Sequence, residues 1–163
     1  KYIPKFMLVV EKLYVNLIKF AISFGLLFLM LILFKVRITF NIIYIIPLIL
    51  LLLILSFGLS NILAHFGVFI EDSANILQII LRLIFYLSGI FYSISDKLSS
   101  NLAFIMLRVN PLAYIIEDFR NVFMYGRSIN CSLYIYWLFI SIAISILSIK
   151  LIYKYENSYA KVM

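Results

Sequence analysis

Between residues 38 and 64 the chain reads ITFNIIYIIPLILLLLILSFGLSNILA, without one formally charged side chain. A helix of that length, rising about 1.5 Å per residue, reaches about 40 Å and exceeds a hydrocarbon core of about 30 Å. No soluble domain needs so long an uncharged run, and Pro47 and Gly58 within it are residues that membrane helices tolerate. Similar runs occupy residues 13–34, 74–94 and 128–149. Across the chain 66% of residues are hydrophobic and only 13% charged, so these runs set its character. Outer-membrane barrels show short alternating segments, whereas unbroken Leu, Ile and Phe dominate here. The predicted fold class is all-α integral membrane.

The charges mark where the chain leaves the bilayer. Residues 1–12, KYIPKFMLVVEK, mix Lys1, Lys5, Glu11 and Lys12 with Tyr2, Phe6 and Met7, which predicts a short interfacial helix. Lys19 stands near one end of the 13–34 span, where its stem allows the ammonium to reach the headgroups. Lys35 and Arg37 close that span. HFGVFIEDSANI, residues 65–76, reads as a polar connector, with Glu71 and Asp72 solvated and Ser73 a cap candidate. His65, the single histidine, reads as an interfacial residue at a span end. The net charge of +7 fits basic flanks facing anionic lipid rather than nucleic acid.

The span at 74–94 carries Arg82, which costs at least about 2.5 kcal/mol at a helix centre and therefore faces protein or water. One turn later begins an aromatic group, Phe85, Tyr86, Phe91 and Tyr92. It suits either the apolar faces of sugar rings or an ordinary interfacial belt. Arg82 is open to two readings as well, a path for an anionic substrate or a structural counter-ion.

Residues 95–127 hold too many charges to span: Asp96, Lys97, Arg108, Glu117, Asp118, Arg120 and Arg127. Two short helices divided at Asn110 and Pro111, dipping into the membrane and returning to the same face, fit this stretch. Asn110 is the N-cap candidate of the second, Pro111 its first residue and Gly126 its stop. Glu117 and Arg120, three residues apart, are placed to pair and so reduce the cost of membrane depth. The final span, 128–149, is followed by Lys150, Lys154 and Lys161 with Tyr153, Tyr155 and Tyr159, an interfacial belt.

Four spans put both termini on one side. That side holds Lys1, Lys5, Lys12, Lys19, Lys150, Lys154 and Lys161, against Lys35, Arg37, Lys97, Arg108, Arg120 and Arg127 opposite, so charge alone favours cytoplasmic termini only slightly. Catalytic patterns are missing. A single histidine, His65, and a single cysteine, Cys131, cannot build a zinc cluster of the usual kind, no acid-base constellation gathers round His65 in the sequence, and no GxxxxGK phosphate loop occurs. No metal or cofactor is expected in this chain, and any ATP dependence belongs to a partner.

YIPKF at 2–6, GVFIEDSANI at 67–76, ILRLIFYLSGIFYSIS at 80–95 and NPLAYIIEDFRNVFMYG at 110–126 together resemble the permease subunit of ABC-2 type exporters. The likeness is to those carrying polysaccharides and polyol phosphates, the teichoic acid and O-antigen permeases. Ser88-Gly89 departs from it, standing where that family often has Ser-Pro. The resemblance implies a six-span protein of which residues 1–163 are the C-terminal portion, a permease domain starting at a cytoplasmic coupling helix, 1–12. It implies residence in the bacterial cytoplasmic membrane with cytoplasmic termini and an outer 95–127 segment. It further implies that Tyr2, Pro4, Lys5 and Phe6 dock on a separate ABC ATPase holding ATP and Mg, and that two permease copies form a homodimer. Arg82, Phe85, Tyr86, Phe91 and Tyr92 would then line the channel for a lipid-linked glycan, and Asn110, Pro111, Glu117 and Arg120 an outer gate. The competing expectations are an ABC-2 permease for a drug, peptide or lipid, and a non-transporting membrane scaffold.

Overall fold

The structure, a computed structural model, describes residues 6–36, 39–70 and 72–162. Tyr2, Pro4, Lys5 and Glu71, together with the side chain of Phe6, lie outside the described residues. Among the described residues all regular structure is helical: α1 (Phe6–Leu33), a 3-10 turn (Phe40–Tyr44), α2 (Ile45–Phe69), α3 (Ser73–Leu87), α4 (Ile94–Lys97), α5 (Ser100–Val109), α6 (Pro111–Phe123) and α7 (Cys131–Val162).

Among the described residues three stretches are long and apolar enough to cross a membrane, Met7–Leu33, Phe40–Phe69 and Cys131–Tyr155. Several boundaries differ from the sequence-based expectation: α2 continues to Phe69, taking in His65–Phe69 of the expected 65–76 connector, and α7 continues to Val162 rather than ending at 149, since no proline interrupts either backbone ladder. Residues 6–12 are the first turns of α1 and not a separate interfacial helix, because nothing between Glu11 and Tyr14 breaks the backbone ladder and Lys12 and Leu13 are both good helix formers. The helix expected over 74–94 ends at Leu87. At 15 residues it reaches roughly 22 Å, so its length alone does not cross the hydrocarbon core.

Local chemistry explains the ends. α1 stops where Lys35 adopts φ 51° and the Val36 amide donates to the Leu31 carbonyl at 3.1 Å, the paired closure that usually employs glycine. Pro47 sits in the first turn of α2, where its missing N–H would have had no intrahelical partner. Its carbonyl accepts from the Tyr134 hydroxyl at 3.3 Å.

The chain divides into two units, with the breaks in α2 after Leu52 and in α7 after Ile140. One unit holds α1 with the longer, C-terminal parts of α2 and α7. There Gly58 allows α2 and α7 to pack closely, since a Cβ at that position would lie 2.9 Å from Ile144 Cγ2 and 3.0 Å from the Ser145 amide nitrogen. The Ser145 hydroxyl donates to the Ile54 carbonyl at 2.9 Å, a cross-helix bond in a setting with no competing water. Farther along, His65 packs on Tyr155 with ring centroids 5.0 Å apart, so α2 and α7 run parallel.

The other unit is built round α6. Ala113, Tyr114, Ile115, Glu117, Asp118, Val122 and Phe123 of this helix are all buried. By contrast no residue of α3 is buried, and the same holds for the apolar window of α1. The charged helix α6 is thus enclosed by protein although it is less apolar than α1 and α3, which spares its ionised groups the cost of facing lipid.

Candidate functional site

α6 begins as its sequence dictates. Asn110 Oδ1 accepts from the amides of Leu112 at 3.0 Å and Ala113 at 3.2 Å, satisfying two donors that a helix start leaves open, and Pro111 occupies the first position. The Asn110 amide group reaches outward and donates to the Ser88 hydroxyl at 3.0 Å, which itself donates to the Ile84 carbonyl at 2.6 Å. The cap of α6 is thereby tied to the last turn of α3.

One turn and a half along α6, Glu117 and Arg120 form an ion pair at 2.8 Å, with side chains only 4% and 14% exposed. Neither group spends its capacity on the other alone. Arg120 Nη1 also donates to the Tyr92 carbonyl at 3.1 Å, and Nη2 to the carbonyls of Gly89 at 3.0 Å and Ile90 at 3.3 Å. Glu117 Oε1 accepts from the Ser93 hydroxyl at 2.9 Å and the Ser95 amide at 3.3 Å, and Oε2 from the Ile94 amide at 3.2 Å. The guanidinium takes the carbonyls after α3 and the carboxylate takes the amides that open α4. One charged pair thus holds both sides of the 88–95 turn, which explains why α3 ends where it does.

Asp118, the next residue, faces elsewhere and serves α7. Its Oδ2 accepts from the Asn130 amide at 3.2 Å and its Oδ1 from the Asn121 side chain at 3.2 Å, while the Tyr114 hydroxyl donates to the Asn130 carbonyl at 3.3 Å. Asn130 in turn accepts from the Leu133 amide at 3.3 Å. At the other edge Trp137 Nε1 donates to the Leu107 carbonyl at 2.9 Å, closing the end of α5 against α7. Thr39 lies against Gly126, whose φ of 60° and close neighbour exclude a side chain, and Asn41 donates to the Gly126 carbonyl.

The two carboxylates titrate in opposite directions. Burial works against ionisation of Glu117, but the bonds from Ser95, Ser93 and the Ile94 amide outweigh it and hold the group below the usual carboxylate value. Burial dominates at Asp118 and raises it, with the nearby Tyr114 hydroxyl and the bonds from Asn121 and Asn130 opposing only in part. Burial chiefly, and then the Asp118 charge, raises Tyr114 too. A depressed carboxylate contributes stability above its unfolded-state pKa that disappears as pH falls through its folded value. The stability gap between the parent chain and Glu117→Gln is therefore expected to narrow as pH drops below the ordinary glutamate range. Thermal unfolding in detergent at a series of pH values measures it, and a gap that widens on acidification would contradict this assignment.

The aromatic residues occupy the same turn. Phe85 meets Tyr86 and Phe91 edge-on, each at 5.7 Å between centroids, and Phe91 is 78% exposed. Tyr86 and Arg82 are exposed on α3, and Tyr92 is half-buried with its carbonyl held by Arg120. Asn110, Pro111, Glu117 and Arg120 are thus brought together with Phe91 and Tyr92 in one unit. The roles of Ser88, Ser93, Tyr114, Asp118, Asn130 and Trp137 were not foreseen. A buried acid beside Glu117 was the one usable signal, and it carried no indication of its distant partner.

Among the described residues, three helices of membrane length and a separate helix, α6, whose ion pair is buried define a multi-pass helical membrane protein. The chain belongs to the ABC-2 type transporter family, whose pattern matches residues 4–124. It is accordingly a permease component of a transporter, in a family that works with an ABC ATPase. No curated protein and no solved structure matches the chain.

Proposed function

We propose that the chain is the membrane-spanning subunit of an ATP-driven exporter that moves a lipid-linked cell-surface polysaccharide or polyol phosphate across the bacterial cytoplasmic membrane. The observation that carries this reading is the Arg120 grip on the backbone of residues 89–92. It fixes the turn that presents Phe91 beside Phe85, leaving aromatic faces exposed on a rigid mount, with Arg82 exposed on the preceding helix. Aromatic faces suit the apolar faces of sugar rings, and a guanidinium suits a phosphate. In this reading Arg82, Phe85, Tyr86, Phe91 and Tyr92 line the path, and Asn110, Pro111, Glu117 and Arg120 hold its outer cap. Tyr2, Pro4, Lys5 and Phe6 meet the ATPase, whose closure moves the helices of two permease copies as near-rigid bodies. ATP and Mg bind on that partner, and the termini are cytoplasmic.

The test is transport of radiolabelled lipid-linked glycan into vesicles holding the permease and its ATPase. Arg82→Ala combined with Phe91→Ala is expected to lower glycan transport about tenfold or more while ATPase co-purification stays unchanged, since one phosphate contact and one stacked ring supply roughly that much. Lys5→Asp with Phe6→Asp is expected to abolish co-purification instead. Full glycan transport by the Arg82 and Phe91 variant would remove the path assignment, and transport of a peptide or drug with no glycan movement would replace the substrate class.

A further inference from the structure

A second polar feature lies in the unit formed by α1 and the C-terminal parts of α2 and α7. A cavity of about 430 Å³ opens there, within the range of small-ligand sites. Its walls combine apolar side chains, such as Leu8 and Val68, with Lys12, Asn16, Ser60 and His65. Because α2 and α7 run parallel and the start of α1 meets the end of α2, the cavity sits at the end of this unit toward which both termini run. Lys150 and Lys154, in the last turns of the Cys131–Tyr155 stretch of α7, lie toward the same end. Lys154 stands over the Tyr155 ring at 5.6 Å, and that ring packs on His65.

We infer that this cavity binds an anionic phospholipid, with the lipid phosphate at Lys12 and the start of an acyl chain among the apolar walls. Charge and position support that occupant. Lys12 has no carboxylate partner among the described residues, and the nearby acid, Glu11, does not line the cavity. Asn16, Ser60 and His65 offer hydrogen-bonding groups beneath it for phosphate or glycerol oxygens. Leu8 and Lys12 at the rim are exposed, so a lipid enters sideways from the bilayer. A free phosphate would leave the apolar walls uncovered, and a zwitterionic headgroup would bring its own cation against Lys12. Basic pockets between membrane helices at an interface recognise anionic headgroups for these reasons. The site is separate from the Arg82 and Phe91 path and does not depend on what the transporter carries.

The test is native mass spectrometry of the detergent-purified chain with phosphatidylglycerol or phosphatidylcholine of identical acyl chains. A phosphatidylglycerol adduct is expected, with phosphatidylcholine bound markedly less. Lys12→Gln should weaken the adduct roughly fivefold, the effect of one lysine near an anionic headgroup. Lys35→Gln removes the same charge beyond the far end of α1 and should leave it unchanged. Ala64→Leu, which fills the cavity without changing charge, should also lose the adduct while circular dichroism reports the parent's helix content. Equal binding of both lipids, undiminished binding by Lys12→Gln, or displacement by inorganic phosphate would each overturn the site. Preference for a lipid-linked diphosphate over phosphatidylglycerol would transfer it to the transport path and overturn it as a bilayer-lipid site.

Discussion

Arg120→Met is expected to destabilise the α3–α6 assembly by about 3–5 kcal/mol, the usual consequence of removing one partner of a buried ion pair. Methionine preserves most of the side-chain stem, so the loss isolates the guanidinium. Without it the carbonyls of Gly89, Ile90 and Tyr92 lose a donor each, and Glu117 stays buried as a charge with only neutral partners. Against a total stability of about 5–15 kcal/mol that loss is large. The melting temperature in detergent should fall, and the 88–95 turn should become open to limited proteolysis. The double variant Glu117→Gln with Arg120→Met should cost less than the sum of the two single changes, because neutralising the carboxylate removes the orphaned charge. A melting temperature equal to the parent's for Arg120→Met would show that the clasp does not hold the turn. Strict additivity in the double variant would show that the two groups act independently.

Gly89→Ala is expected to be comparably damaging, at about 2–5 kcal/mol. Two separable causes add. The backbone there has φ 65°, a conformation that costs an L-residue about 1–2 kcal/mol. The new methyl would also lie 2.6 Å from Ile94 Cγ1, 2.9 Å from Ile94 Cδ1 and 3.1 Å from the Tyr92 carbonyl oxygen, an overpacking of the kind that costs about 1–3 kcal/mol. Ile94 is fully buried, and its Cγ1 is too near the backbone to swing aside. Combining Gly89→Ala with Ile94→Ala removes both clashing atoms. The pair should therefore destabilise less than the two single changes added together, by the steric share, while the backbone share persists. Chemical or thermal unfolding of the four species measures this. Parent-like stability for Gly89→Ala would mean that the turn relaxes, and with it the fixed presentation of Phe91.

Both results bear on how a permease of this family keeps charged groups buried. A carboxylate and a guanidinium are each costly in a protein interior, yet here each also completes the hydrogen bonding of a turn that no helix could satisfy by itself. The pair and the turn solve each other's problem. The close neighbour Asp118 does the same for the start of α7 through Asn130 and Tyr114. α6 therefore serves as a central post, anchoring the end of α3 on one side and the beginning of α7 on another.

How much of this the sequence determined depends on the range of each interaction. The uncharged run after Ile38 fixed a membrane helix by itself, since the bilayer leaves such a segment no other way to satisfy its backbone. Asn110 and Pro111 fixed the start of α6, and the three-residue spacing of Glu117 and Arg120 fixed their pairing, because caps and i,i+3 contacts lie within one helical turn. The boundary between residues 6–12 and the following span was lost because charge at an interface does not interrupt a helix whose backbone bonds remain intact. Only the tertiary structure decided that α3 stops at Leu87, since the agent is Arg120, some thirty residues away, drawing on carbonyls that any sequence would present alike. It alone also decided that Asp118 belongs to α7 and that Lys12 and His65 share a cavity. Donors and acceptors far apart in the chain carry no record of one another until packing brings them within 3 Å or so.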